Sequence, residues 1–225
     1  TVSITPLYLF YPRFPAKGPK IVPWSSTPEE DIDDSLRRLG VSYIDLCLLH
    51  QHGSSEGDDA AYRAMIRAVR AGKIRSIGIS NFYTPQVVLH FIRDFGLPPA
   101  VIQNENHLFY QNNVLRDWAA KQGIIIESYY PFGGRGHTAE HLKDRTVLEI
   151  ARHHGKTAAQ VIVRWQLQAG YIAIPGSGNA AHIAENFAVW DFSLSADEMK
   201  KRYLYIMTGE SMILSEPDED RKSVV

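Results

Sequence analysis

The sequence predicts an α/β fold, a (β/α)8 TIM barrel that is incomplete because its first two strands are not found, and three observations carry that reading. Apolar, strand-like runs alternate with amphipathic helices through most of the 225 residues, the pattern of a parallel sheet with crossover helices. The runs are apolar on both faces, as in "YIDLCLL" and "IRSIGIS", which suits strands covered on both sides. Nearly every run also ends in polar groups, at His50, Ser80-Asn81, Gln103, Tyr129 and Ser177, and no G-x-G-x-x-G follows any of them. A site assembled from many strand ends is a property of barrels, and the phosphate turn of a doubly wound dinucleotide fold is missing.

The elements follow in order. "STPEEDIDDSLRRLG" reads as a helix with Ser26 or Thr27 as N-cap, Pro28 at the first position, acids in the first turn and arginines before Gly40. The strand to His50 comes next, then a helix over 58–73 stopped at Gly72. "IRSIGIS" is a strand, "TPQVVLHFIRDFG" a helix capped by Thr84, and "PAVIQNENH" a strand ending in polar groups. A helix over 114–123 leads to the strand "IIIESYY". Two helices, over 145–155 and 157–170, precede the strand and turn "YIAIPGSGN", a short helix over 181–190 and a last helix capped by Ser195. A further candidate strand spans 7–11, so six strands at most are visible where a barrel closes on eight. We expect one domain over 1–225, with 1–25 an atypical N-terminal segment and 203–225 a divergent C-terminal tail.

Bulk properties narrow the class. The chain is 44% hydrophobic and 22% charged with a net charge of -1, so no basic surface calls for a nucleic-acid or membrane partner. Cys47 is the only cysteine, which excludes a disulfide framework or a cysteine metal site and fits a cytoplasmic protein. No apolar run is long enough for a transmembrane helix, and the start does not read as a signal peptide. No metal site is expected.

"LGVSYIDLCLLHQ", "AGKIRSIGISNF", "PAVIQNENHLFYQ", "IIIESYYPFGGRG" and "IPGSGNAAHIAENFAVWDFSLSADEM" together resemble the aldo-keto reductase family, in order from about Ser35 to Met199. The bacterial small-carbonyl and diketogluconate reductase branch is the most similar. The resemblance implies a barrel that reduces aldehydes and ketones by hydride transfer from NADP(H), or else NAD(H), acting as a monomer or homodimer on small carbonyl substrates. A lone strand-end histidine is ordinarily a satisfied core residue; in this context His50 matches the family histidine that orients the carbonyl. Ser80, Asn81 and Gln103 match the groups that clamp the nicotinamide carboxamide, and Tyr129 the aromatic that stacks on its ring. Tyr130 and Phe132 belong to the loop beneath the pyrophosphate, while Ser177, His182, Glu185 and Asn186 match the segment at the adenosine end.

The chain departs from the family in three places. Nothing resembles the "D-T-A … Y-x-N-E" stretch that supplies the acid tyrosine and its aspartate. The catalytic lysine has two candidates: Lys20 has the better local context, in "KIVPW", and Lys17 the better distance to His50. Gly176 and His182 stand where the family often has Lys and Arg on the 2′-phosphate of NADPH, so that preference is expected to weaken. A second function therefore stands beside the reductase: a non-catalytic, cofactor-binding or regulatory barrel remnant acting through protein interaction.

Overall fold

The computed structural model describes residues 2–4, 27–134 and 136–201. The first element is a strand, β1 (Val2–Ile4), followed by helix α1 (Pro28–Leu39) and strand β2 (Ile44–Leu49). Then come α2 (Ser55–Arg70), β3 (Ile74–Ser80), α3 (Pro85–Phe95), β4 (Val101–Glu105), α4 (Asn113–Lys121) and β5 (Ile125–Tyr129). Helices α5 (Thr138–Leu142), α6 (Arg145–His154) and α7 (Ala158–Gln168), the two-residue strand β6 (Ile172–Ala173), α8 (Ala180–Phe187) and α9 (Ala196–Lys201) complete the order. Among the described residues the strands form one sheet in the order β1-β2-β3-β4-β5-β6, and the paired strands β1 to β5 are all parallel.

The helices begin and end for local reasons. Thr27 closes a capping box with Glu30 at the start of α1, and Gly40 ends it in the left-handed conformation. Thr157 and Gln160 repeat the box at α7. Helix α2 starts three residues earlier than the sequence pattern suggested, because the Ser54 side chain accepts from the Gly57 amide and sets the boundary there. Thr84 occupies the N-cap position of α3 without making a side-chain cap bond. The sequence reading missed β1 and α5. The candidate strand over 7–11 lies outside the described residues, as do Lys17 and Lys20.

The chain divides into two compact units. The first is residues up to Glu105 with Asn112–Tyr129 and Gly170–Ile172; the second is Asn106–Gln111, Tyr130–Ala169 and the chain from Ala173 on. In the first unit, register places Leu49, Ile79, Ile102 and Ile126 in one row across four strands, all buried. Tyr62, Phe82, Phe91 and Phe95 form an aromatic cluster of tilted, edge-on and stacked pairs, with ring centroids 4.6 to 5.9 Å apart. Cys47 is buried in this unit, and burial pushes its thiol up to about 12, so it is an inert core residue. Gly78 is required by close strand approach: a Cβ there would lie 2.6 Å from both Leu48 Cδ2 and the Val101 carbonyl oxygen.

Candidate active site

The carboxyl ends of β2, β3, β4 and β5 come together in the first unit, and register is the reason. Leu49 pairs with Ile79, and Ser80 pairs with Gln103, which in turn pairs with Glu127. His50 follows β2 directly, and Tyr129 closes β5 opposite Glu105. Asn81 sits at the middle. Its backbone is left-handed, at φ 64°, a conformation an asparagine tolerates better than most residues. The Asn81 amide N–H donates to the Gln103 carbonyl at 3.0 Å. Its side-chain Nδ2 donates to the His50 carbonyl at 2.9 Å and to Ser80 Oγ at 3.2 Å. Its Oδ1 accepts from the Tyr129 hydroxyl at 2.8 Å and the Tyr83 hydroxyl at 3.2 Å. Both ends of this carboxamide are thus engaged by protein groups, and one residue ties together the ends of four strands.

The remaining groups are poised differently. His50 is largely buried, and burial lowers its pKa below the ordinary histidine value, so its ring is neutral at pH 7 and carries one N–H donor and one acceptor. Ser80 is buried; its Oγ accepts from Asn81 and keeps its own O–H as a donor. Gln103 Nε2 donates to the buried carboxylate of Glu127, leaving Oε1 as the accepting end. The Tyr83 and Tyr129 hydroxyls lie 3.0 Å apart. Sequence reading attached no role to Glu127; its signal was a polar residue inside an apolar run. Asp58, also unpredicted, holds the loop after β2 by accepting from the Gly53 amide at 3.1 Å and bonding His52 Nδ1 at 2.6 Å.

The second unit holds the other candidates. Tyr130 takes φ 53°, and its carbonyl accepts from the Gly133 amide at 2.8 Å in a tight turn. Gly133 and Gly134 are required there: a Cβ on the first would meet the His141 ring at 2.1 Å, and one on the second would meet the Tyr130 ring at 2.8 Å. His141 is buried, donates from Nδ1 to the His137 carbonyl at 2.9 Å and lies 3.0 Å from His107 Nδ1. Phe132 is half-buried beside this turn. Ser177 Oγ accepts from the Asn179 amide at 3.1 Å, and Asn179 caps α8 through the Ala181 amide at 2.9 Å. His182 is exposed on α8, with Glu185 and Asn186 half-buried one turn on.

This sequence and geometry have known counterparts. The Aldo/keto reductase family model matches residues 25–202. The chain belongs to the aldo/keto reductase family. It is 41% identical over 168 residues to an aldo-keto reductase of Mycolicibacterium smegmatis, covering 74% of this chain and 59% of that one. It is 37% identical over 175 residues to methylglyoxal reductase DkgA of Escherichia coli K12, covering 76% and 62%. A solved mutant of Gox0644 in complex with NADPH superposes with a TM-score of 0.75 at 31% identity, covering 88% of this chain and 70% of that chain. The parallel α/β fold of the family is the fold of this chain. The chain spans 56 to 62% of the length of the curated relatives it matches. Among the described residues no helix is long and apolar enough to cross a membrane.

Proposed function

We propose that this chain carries the nicotinamide-binding and carbonyl-orienting part of an NAD(P)H-dependent reductase of small aldehydes and ketones. The observation that supports it most is the pair of polar ends left over once the Asn81 network is complete: a donor, the Ser80 hydroxyl, and an acceptor, Gln103 Oε1. Their residues are register partners on adjacent strands. A primary carboxamide has one acceptor and one donor end, so this donor set fits nicotinamide. When bound, the cofactor supplies hydride to a carbonyl carbon. Ser80 and Gln103 would hold its carboxamide, Asn81 would keep those two groups in register, and the Tyr129 ring would cover one face. Tyr130, Phe132, Ser177, His182, Glu185 and Asn186 would take the pyrophosphate and adenosine end, as the family resemblance implies.

His50 would orient the carbonyl of the substrate from the end of β2, the role the family resemblance implies. A neutral imidazole polarises that bond without putting a fixed charge in a buried place. Lys20 is the proposed lysine of this set. The acid tyrosine has no counterpart in this sequence, and general acid catalysis is typically worth about 10²–10⁴-fold. The expected result is therefore NADPH binding with slow turnover of methylglyoxal, a substrate suggested by the DkgA relatives. NADPH oxidation is followed spectroscopically for this chain and for a full-length relative in parallel. Turnover equal to the relative's would show that another group donates the proton, with Tyr83 the first to be substituted. Failure to bind any nicotinamide dinucleotide would leave only the protein-interaction reading.

A further inference from the structure

Glu127 is a buried carboxylate in the middle of an apolar strand, 3% exposed. Burying a carboxyl group is costly, and a leucine of similar size would sit there without that cost. What a carboxylate does that an amide cannot is refuse to donate. Gln103 and Glu127 are register partners, so their side chains share one face of the sheet, and Gln103 Nε2 donates to Glu127 Oε1. In that bond the carboxyl oxygen accepts, so the amide turns its nitrogen inward, toward Glu127, and its carbonyl oxygen away from it. The Gln103 backbone is also fixed, because its carbonyl accepts the Asn81 amide at 3.0 Å.

We infer that Glu127 is a positioning residue that locks the Gln103 amide with its carbonyl oxygen toward the ligand, so that the site selects a dinucleotide whose ring substituent donates a hydrogen bond. The inference rests on the nicotinamide reading above and deepens it: selectivity for a carboxamide over a substituent that only accepts is set one residue behind the contact. Substituting Glu127→Gln keeps the shape and removes the polarity. The glutamine pair can then settle either way round, and Gln103 presents Oε1 or Nε2 with little preference.

The test uses the full chain and its E127Q variant, with dissociation constants from fluorescence quenching for three ligands. These are NADPH, its reduced 3-acetylpyridine analogue, which lacks the amide donor, and 2′-phospho-ADP-ribose, which lacks the ring altogether. In the wild-type chain NADPH should bind more tightly than the analogue. In E127Q that preference should fall by up to about tenfold, the worth of one net hydrogen bond, while 2′-phospho-ADP-ribose stays within about twofold. An unchanged NADPH-to-analogue ratio overturns the inference. Parallel weakening of all three ligands overturns it as well, since it marks Glu127 as a structural residue only. If the wild-type chain binds 2′-phospho-ADP-ribose but shows no contribution from the nicotinamide ring, the nicotinamide reading itself falls, which is a separate result.

Discussion

Asn81 shows how much one residue can carry. The "GISNF" context marks it as a cofactor group, yet in the structure its side chain makes four hydrogen bonds to protein, from a left-handed backbone. Its sequence neighbours give no sign of either fact, because both depend on strands brought together by the sheet. Two substitutions separate the contributions. Asn81→Gly keeps the left-handed backbone and loses the side-chain bonds; Asn81→Ala loses both. Each lost buried bond costs roughly 0.5–1.5 kcal/mol net, and alanine adds about 1 kcal/mol of backbone strain. Urea unfolding should therefore rank wild type above Asn81→Gly above Asn81→Ala. An alanine variant as stable as the glycine one would show that the backbone relaxes from the left-handed region. Ser80, Gln103 and His50 were legible as polar ends of apolar runs. Glu127 was not, because an acid within a strand gives no hint of its face or its partner.

At the scale of elements, caps were the most legible feature: Thr27, Pro28, Gly40, Gly72 and Ser195 all mark boundaries the structure keeps. Misses occurred where an element is too short for periodicity to show. Strand β1 has three residues and α5 has five. Helix α9 illustrates a cap recruited into tertiary structure. Ser195 and Glu198 exchange capping bonds at 3.2 and 2.8 Å, while Glu198 Oε1 is also 3.0 Å from His153 Nδ1 and from His154 Nε2 at the end of α6. These bonds outweigh burial and hold the Glu198 carboxyl down at about 2. A lowered carboxyl pKa stabilises the fold above the unfolded value of about 4.3. That stability is lost as pH falls from there through about 2. In E198Q the loss of thermal stability over this interval should be shallower than in wild type. Identical acid profiles in the two proteins would show that the clasp does not couple to folding.

For the whole molecule, cofactor preference is the sharpest expectation. No fixed positive charge stands at Gly176, which is exposed with open space around it, or at the exposed His182. The chain should prefer NADPH over NADH by well under a thousandfold, the equivalent of roughly 4 kcal/mol. Parallel quenching titrations with the two dinucleotides decide this, and a preference at or above that level would reveal a phosphate-binding cation elsewhere in the chain.

The sequence by itself determined the parallel α/β class, the family, most helix boundaries and the polar strand ends His50, Ser80, Gln103 and Tyr129. These follow from periodicity, capping chemistry and motifs that are local in the chain. Only the tertiary structure decided that Asn81 is committed to its own protein, that Glu127 faces Gln103, and that a three-residue strand at Val2–Ile4 pairs with Cys47–Leu49. Register sets each of these: neighbours across a parallel sheet lie a whole crossover apart in sequence, and a one-residue slip would turn every such side chain to the other face.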